Sequence, residues 1–322
     1  MNKNLISAFL MIISFVGFSQ SNSYYKKGDT LFYVNNRATY VKTNTMVIIK
    51  ETNVNKNNNV FKVEKYLLDD SKNEYALDSE FTTNGLQLLK ANGDFISYYK
   101  NGNKASEGIT INGKKGRGIW TYYYENGKKK SEEKMSSGSY FSDKTQNLIM
   151  NFWDENGTQT VTDGNGFSEF INTDGVIEKG SYKGGLKNGL WTAFNGKVKK
   201  YEETYKKGNL TKGTSWNDKG DSFNYKKVST PAYYKKNDNS SVRKYVAKNF
   251  NSNTAGVIGD IYVTFLVTKE GLVGKINIIR GLTVDYNTEV EKVLSQMKGW
   301  TPAQKRGQAY NSTYSLNLHF SE

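Results

Sequence analysis

A short motif recurs along the middle of the chain, and this repeat constrains the fold more than any other feature. Residues 113–127 read Gly-Lys-Lys-Gly-Arg-Gly-Ile-Trp-Thr-Tyr-Tyr-Tyr-Glu-Asn-Gly, and residues 184–196 read Gly-Gly-Leu-Lys-Asn-Gly-Leu-Trp-Thr-Ala-Phe-Asn-Gly. Degenerate copies lie at 95–102, 151–157, 167–175 and 213–220. The turn glycines fall at positions 102, 127, 157, 175, 196 and 220. A near-regular repeat of this size is typical of a stacked architecture.

Each repeat predicts a β-hairpin: a strand with alternating aromatic residues, an Asn-Gly or Asp-Gly turn, and a polar return strand such as 128–134. One hairpin cannot bury its aromatic face alone, so successive hairpins must stack. Gly118 and Gly189, two residues before each Trp, are expected to allow close approach between neighbouring ribbons. We expect one continuous core formed by Trp120, Tyr122, Trp153, Trp191 and Phe194.

These repeats resemble the MORN repeat family and the bacterial MORN-type group named after the YwqK antitoxin. The resemblance covers about residues 92–226. It implies a mainly β region of stacked hairpins, and we infer no antitoxin activity from it. Residues 24–89 contain apolar or alternating runs, such as 45–49 and 60–67, around an Asn/Lys-rich turn at 53–59. We assign them to the capping end of the same array.

The segment from Ser240 onward predicts helix, hairpin, helix and strand in that order. Apolar residues recur at helical spacing in 240–250 and 286–297, and they alternate in 259–267 and 314–320. Pro302 excludes Thr301 from the helical region and so ends the second helix. The predicted core positions are Val242, Tyr245, Val246, Phe250, Ile261, Val263, Phe265, Val267, Tyr286, Val290, Val293, Leu294, Met297, Tyr314, Leu316, Leu318 and Phe320.

This segment, about residues 231–322, resembles the C-terminal domain of the TonB family. The matching features are Arg243-Lys-Tyr-Val-Ala-Lys-Asn, Gly259-Asp-Ile-Tyr-Val-Thr-Phe-Leu-Val, the turn Lys269-Glu-Gly, Ile278-Ile-Arg-Gly and Gln296-Met-Lys-Gly-Trp-Thr-Pro-Ala. The resemblance implies a small α+β domain with two helices on a three-stranded sheet. It also implies an envelope protein that contacts its partners by adding or offering a strand.

The N-terminus indicates export. Lys3 precedes an apolar run over 5–18, which is short for a spanning helix of roughly 20 residues. Small residues at 17 and 19 predict a secretory signal peptide over residues 1–19, with Gln20 as the mature N-terminus. An uncleaved membrane anchor is the alternative. We therefore expect a signal peptide at 1–19, a hairpin-repeat region at 20–228 and a TonB-like domain at 229–322.

Composition argues against an enzyme. The chain has no Cys and a single His, His319, so a multi-His metal site and a Cys nucleophile are excluded. His319 is expected on the solvent face of the last strand. The acidic pairs Glu132-Glu133, Glu202-Glu203 and Asp69-Asp70 are adjacent on predicted strands, where neighbours point to opposite faces. We interpret them as solvated ribbon edges. No catalytic residue, cofactor or metal is predicted.

The formal charge of +14 is spread along the chain rather than localised. A weak attraction to peptidoglycan or an anionic lipid surface fits this distribution, whereas nucleic acid is a poor partner for an exported protein. The sequence predicts no small-molecule substrate.

We expect a non-enzymatic scaffold or adaptor in the periplasm or cell envelope of a Gram-negative-type bacterium. Its partner would be an envelope protein, such as an outer-membrane receptor or a peptide of one, docked by strand addition. The alternative is TonB-type energy transduction or regulation of receptor transport. The partner-binding residues that the resemblance implies are Trp300, Pro302, Ala309, Tyr310, Asn311, Ser312, Thr313, Tyr314 and Ser315.

Overall fold

The backbone is mainly β-strand, as the sequence predicts. The computed structural model describes residues 25–39, 41–55, 58–135, 147–235, 240–251 and 256–321. About 60% of the described residues are in strands, and the described residues contain two helices. They form two compact units, which divide between residues 145 and 146. The boundary expected at 228/229 lies inside the second unit, and the predicted signal peptide lies outside the described residues.

The first unit is an antiparallel meander. Its strands are β1 (Thr30–Val34), β2 (Arg37–Thr39), β3 (Thr45–Asn55), β4 (Asn58–Asp69), β5 (Glu74–Thr83), β6 (Gly93–Tyr98), β7 (Lys104–Ile111), β8 (Lys114–Lys115), β9 (Gly118–Tyr123) and β10 (Lys129–Met135). β1 pairs with β2 and β3, and pairing then follows the chain to β7. β8 and β9 both pair with β7, and β10 pairs with β9.

The core of the first unit lies on one face of β3 to β5. Alternate residues of these strands, among them Ile49, Phe61 and Phe81, pack with Leu86 and Leu89 of the following loop. The Tyr33 hydroxyl donates to the Leu86 carbonyl oxygen, which satisfies a polar group in this core. The region before the clearest repeats is therefore a folded sheet with its own core.

The second unit begins with a further antiparallel meander, which we call the second-unit array. Its strands are β11 (Leu148–Trp153), β12 (Gln159–Thr162), β13 (Asn165–Ile171), β14 (Ile177–Lys183), β15 (Leu186–Asn195), β16 (Val198–Lys206), β17 (Asn209–Trp216) and β18 (Ser222–Tyr225). Each strand pairs with the next along the chain.

The predicted turn glycines all have the left-handed conformation that a hairpin turn needs. At Gly102, for example, the amide donates to the Tyr99 carbonyl while the Tyr99 amide donates to the Asn103 carbonyl. The same pair of backbone hydrogen bonds recurs at 124–128, 154–158, 172–176 and 217–221. The repeated sequence thus corresponds to a repeated turn.

The close approach between strands occurs at glycines other than the predicted ones. A Cβ added to Gly180 would lie 2.3 Å from Trp191 Cδ2, and one added to Gly108 would lie 2.5 Å from Trp120 Cδ2. Each Trp ring therefore lies over a glycine of the neighbouring strand. Gly118 and Gly189 face open space, and their positive φ angles are what require glycine. The prediction for these two residues was wrong in its mechanism.

The aromatic core also differs in part from the prediction. Trp120 and Trp191 are 1% and 0% exposed, as expected for core residues. On β11, however, Phe152 is the buried ring and Trp153 is half-buried, because strand alternation gives only one of the two neighbours to the core face. The remaining predicted rings, Tyr122 and Phe194, are also half-buried. Each unit has its own series of ring contacts, Phe81–Phe95–Trp120 in the first and Phe152–Phe170–Trp191–Tyr182 in the second.

The rest of the second unit, from residue 229, is its C-terminal part. Its elements are β19 (Ser229–Thr230), β20 (Tyr233–Tyr234), α1 (Ser240–Asn249), β21 (Gly259–Val267), β22 (Val273–Arg280), α2 (Val284–Ser295), β23 (Trp300–Thr301), β24 (Ala303–Lys305), β25 (Gln308–Tyr310) and β26 (Ser312–Phe320). β22, β21 and β26 form a three-stranded antiparallel sheet in that order. β19, β24 and β25 form a second small sheet, and β20 pairs with β23.

Both helices pack on one face of the three-stranded sheet. The core-facing residues of β21 alternate, and Ile261, Val263, Phe265 and Val267 are each at most 1% exposed. Val242 and Val246 of α1 and the predicted stripe of α2 share this core, together with Leu316 and Leu318 of β26. The helical period of the apolar residues is what directs both helices toward the sheet. Thr283 caps α2, since its Oγ accepts a hydrogen bond from the Tyr286 amide.

Candidate functional site

Strand β26 has one open edge. It pairs with β21 without a register shift, from Ser312 opposite Val267 to Phe320 opposite Gly259. No strand of the described residues pairs with its other side. The open edge of β22, by contrast, belongs to a strand whose pairing with β21 has two register shifts. Irregular edges resist pairing, so β26 is the better surface for an added strand.

The predicted docking strand 309–315 is divided in the structure. Ala309 and Tyr310 belong to β25, which pairs with β24, whereas Ser312 begins β26. Asn311 lies between them, and its Oδ1 atom accepts a hydrogen bond of 2.8 Å from the Lys269 amide. This contact ties the chain to the β21–β22 turn and separates the two strands. The prediction of one continuous strand was therefore wrong.

The predicted site residues of β26 divide by face. Thr313 and Ser315 are exposed, whereas Ser312 and Tyr314 are half-buried on the core side. The Tyr314 ring stacks on Phe265 at 5.3 Å between centroids. Alternation along the strand places successive side chains on opposite faces. The exposed side chains of Thr313 and Ser315 are small, so the backbone of this edge remains accessible.

Trp300 lies in the core rather than on the surface. Its side chain is among the buried residues, at 5% exposure, and its ring contacts Tyr234, Phe265 and Tyr314. Pro302 is half-buried beside it. The Trp300 ring therefore packs against Tyr314 inside the core and is not available to a partner. The expectation that Trp300 contacts the partner directly is corrected.

Arg243 of α1 occupies the far end of the open edge. Its Nε donates a hydrogen bond of 3.1 Å to the Asn317 carbonyl oxygen. This carbonyl points away from β21, because Asn317 lies between the residues that bond to β21. The alternation of backbone groups then directs the amides of Thr313 and Ser315 to the same open side. The free length of the edge is thus its first half.

Two polar atoms on β26 lack a partner among the described residues. Ser312 Oγ and Asn317 Oδ1 are buried and accept or donate no hydrogen bond there. Buried polar atoms are normally satisfied, so each unsatisfied one has an energetic cost. Both atoms belong to the strand with the open edge.

A second cluster, which the sequence did not predict, lies at the tip of the β24–β25 hairpin. Arg306 and Gly307 form its two-residue turn, with φ angles of 51° and 78°. This left-handed backbone conformation is unfavourable for residues other than glycine. The Arg306 amide donates to the Val228 carbonyl at 2.7 Å, and Ser215 Oγ donates to the Arg306 carbonyl at 2.7 Å. These bonds hold the turn against the end of the second-unit array.

The Arg306 side chain enters a polar site in the array. Its Nε lies 3.0 Å from Glu203 Oε1, and its Nη1 lies 3.1 Å from Asp174 Oδ2. The guanidinium carbon lies 3.6 Å from the centroid of the Tyr201 ring, within the range of a cation–π contact. The Glu203 side chain is fully buried, at 0% exposure, and Arg306 retains 14%. This is a largely desolvated ion pair.

Two tyrosines complete the hydrogen bonding of Glu203. The hydroxyls of Tyr205 and Tyr225 each donate to a different carboxylate oxygen at 2.7 Å. Burial raises the pKa of both phenols well above the ordinary value, and the Glu203 carboxylate adds to the rise. Both therefore stay protonated and serve as donors. A fully hydrogen-bonded buried carboxylate is the arrangement that makes such a pair tolerable.

The charges of the hairpin also act on Asp174 and Arg306. The hydrogen bond from Lys305, and then the nearby guanidinium, hold the pKa of Asp174 below its usual range. Burial alone lowers the pKa of Arg306, but the Glu203 carboxylate outweighs it and the net shift is upward. Arg306 is thus a permanent cation in this site.

The sequence interpretation of Glu202-Glu203 as a solvated edge was wrong for Glu203. Its neighbour Glu202 does reach the surface, where it pairs with Lys199 at 3.0 Å. Glu203 shares its strand face with Tyr201 and Tyr205, two residues away on each side. That alternation of acid and tyrosine on an otherwise core-facing side was the available signal. Arg306 carried none, since its partners are distant in sequence.

The described residues show no cluster of three or more His, Cys, Asp or Glu side chains that could hold a metal ion. Neither of their helices has the length and apolar character needed to span a bilayer. No model of a known protein family matches the sequence, and a search of curated proteins finds no match.

Proposed function

We propose that this protein is a non-enzymatic interaction protein of the cell envelope, and that its C-terminal part docks a partner by strand addition. The observation that carries the proposal is the open, regular edge of β26. Main-chain hydrogen bonds give such a site its affinity, so it needs few special side chains. The exposed Thr313 and Ser315 fit this requirement.

The fold resemblances support the same function. Two helices against a three-stranded antiparallel sheet are what the likeness to the TonB C-terminal domain implies. The repeated turns agree with the stacked hairpins that the MORN-like resemblance implies. We assign these resemblances to the chain as part of the proposal. They favour an exported protein in the periplasm or envelope and a protein partner, such as an outer-membrane receptor or its peptide.

One contact of α1 narrows the segment of β26 that we propose for the partner strand. Arg243 already bonds the Asn317 carbonyl, so a partner strand has free access to residues 312–315. The amides of Thr313 and Ser315 are the donors that this segment offers to a partner strand. Ala309 and Tyr310, on the neighbouring β25, are in reach of an extended peptide that continues past Asn311.

The test is recovery of cross-linked envelope proteins with Ser315→Pro and Ser315→Ala variants. Proline removes the amide donor at the open edge, and alanine removes only the hydroxyl. We expect the alanine variant to recover the same partner as the parent and the proline variant to lose it. Equal recovery by a folded proline variant would show that this edge is not the docking site.

A further inference from the structure

We infer that Arg306 and Glu203 are positioning residues for the docking strand: the second-unit array holds the β24–β25 hairpin, and the hairpin fixes the start of β26. This inference rests on the proposed function, because it names what keeps that site in place. It also assigns a role to the second-unit array, because strand addition at β26 does not by itself explain what this array does.

The hairpin depends on contacts at its tip. β24 and β25 have three residues each, and within the described part of the chain their only further strand partner is the two-residue β19. An isolated hairpin of this size is not stable in water. Ala303 at the start of β24 is buried in the C-terminal core, so the place of the rest of the hairpin must be set by what its turn contacts.

The backbone of the turn fits the array closely. Besides its bonds to Val228 and Ser215, the hairpin is held by Gln308, whose Nε2 donates to Ser215 Oγ at 2.8 Å. A Cβ on Gly307 would lie 3.2 Å from Phe223 Cβ and 3.3 Å from the Asn224 carbonyl oxygen. There is little room for a side chain at this position. The turn is therefore seated against β18 as well as hydrogen-bonded to its surroundings.

The ion pair favours the position in which the turn of the β24–β25 hairpin contacts the second-unit array. When Arg306 leaves, the Glu203 carboxylate is left buried without its cation, which is strongly unfavourable. The left-handed conformation of Arg306 is a cost of this turn, which the ion pair and the backbone hydrogen bonds at the tip offset. Because departure of Arg306 would leave the Glu203 charge buried and unpaired, the hairpin has one favoured position.

The β24–β25 hairpin is connected to the docking strand β26 through a single residue. β25 ends at Tyr310 and β26 begins at Ser312, so only Asn311 separates the hairpin from the open edge. The bond from the Lys269 amide anchors Asn311 on the other side. Loss of the ion pair should loosen residues 304–313, while Ala303, Leu316 and Leu318 remain fixed by the core. The first free amide of the edge, that of Thr313, lies inside the loosened segment.

The experiment is hydrogen exchange by mass spectrometry on the full chain. Arg306→Ala should raise the exchange rate of amides 304–313 by about tenfold or more, with no change in 316–320. Arg306→Lys keeps the charge but lacks the planar fork, so it should give an intermediate rate. Lys305→Ala is the matched control, since it removes the neighbouring ion pair to Asp174 at a position where Lys305 is 54% exposed. It should leave exchange within about twofold of the parent.

A second variant approaches the pair from the array. Glu203→Gln should also raise exchange in 304–313 and let trypsin cut after Arg306, a site at which we expect the parent to resist cleavage. If this variant fails to fold, Arg306→Ala still decides the matter, because it changes only the hairpin. Parent-like exchange in a folded Arg306→Ala variant would overturn the inference.

Partner recovery separates this inference from the proposed function. We expect Arg306→Ala to reduce recovery of the cross-linked partner that Ser315→Pro abolishes. If Ser315→Pro abolishes recovery but Arg306→Ala leaves both recovery and exchange unchanged, strand addition stands and the positioning role is wrong. If Ser315→Pro leaves recovery unchanged, the proposed function fails, and with it the positioning role, even where exchange rises.

Discussion

Arg306 and Glu203 are 103 residues apart in sequence, yet the Nε of one lies 3.0 Å from a carboxylate oxygen of the other. The pair joins the last hairpin of the chain to strand β16 of the second-unit array. It is buried, and its carboxylate is bonded by two tyrosine hydroxyls as well. The C-terminal part is thus not merely appended to the array but is held by it at one polar site.

This relationship predicts a non-additive pair of substitutions. Arg306→Met and Glu203→Met should each lower the free energy of unfolding by about 3–5 kcal/mol, because each leaves a buried group without its partner. The double variant should cost clearly less than the sum, since it leaves no unpaired charge. Urea denaturation of the four proteins measures the coupling. Simple additivity would show that the two side chains do not interact in solution.

The Trp-over-glycine contacts predict which aromatic residues contribute most to the stability of the β-hairpins in the two units. Trp191→Ala and Trp120→Ala should each cost roughly 3–5 kcal/mol, as for other large buried aromatic residues. Trp153→Ala should cost less, because this ring is half-buried. Thermal and urea unfolding test the order. Equal losses at all three positions would contradict the packing seen at Gly180 and Gly108.

Much of the C-terminal part could be predicted from the sequence, because short-range patterns determine it. Alternation in β21 and β26 and the helical spacing in α2 identify residues that the structure buries, such as Phe265, Leu318 and Val290. Each depends only on neighbours two to four positions away. The mainly β character of the rest followed in the same way from the recurring turn glycines.

The features that escaped prediction depend on partners far along the chain. Nothing near Arg306 indicates that it meets Glu203, and nothing near Gly180 indicates that Trp191 covers it. The division of 309–315 at Asn311 has the same origin, since its cause is a bond to the amide of Lys269. Local periodicity gives the faces of strands, whereas the register between strands selects which residues touch.

Asp174 gives the hairpin contact a pH dependence. Its pKa is depressed in the folded protein by Lys305 and Arg306, relative to about 3.9 for an unperturbed aspartate. The stabilisation it provides is therefore complete above that value and is lost as pH falls through the lower, folded pKa. Urea midpoints measured downward from about pH 5 should fall less steeply for Asp174→Asn than for the parent. The effect should be modest, because the Asp174 side chain is partly exposed to solvent. If the urea midpoints of the two proteins fall in parallel with pH, Asp174 makes no such contribution.

The N-terminal segment predicts a cleaved product. From the apolar run over 5–18 and the small residues before Gln20, we expect an exported chain that begins near Gln20 and fractionates with soluble exported protein. N-terminal sequencing of the exported protein measures the start directly. Full-length chain in the inner membrane would instead favour the retained anchor and the energy-transducing role.

The alternating backbone of β26 predicts an alternating response to proline. At Thr313 the amide points to the open edge, so Thr313→Pro should cost little stability yet weaken partner recovery. At Ser312, opposite Val267, the amide faces β21, so Ser312→Pro should remove a ladder hydrogen bond and lower the melting temperature clearly. Asn311→Pro is not a neutral test of the edge, because it also deletes the side chain that bonds the Lys269 amide. Melting temperatures of Ser312→Pro and Thr313→Pro, compared with the matching alanine variants, give the stability order. If Thr313→Pro destabilises the protein as much as Ser312→Pro, the amide of Thr313 is already bonded and the edge of β26 is closed.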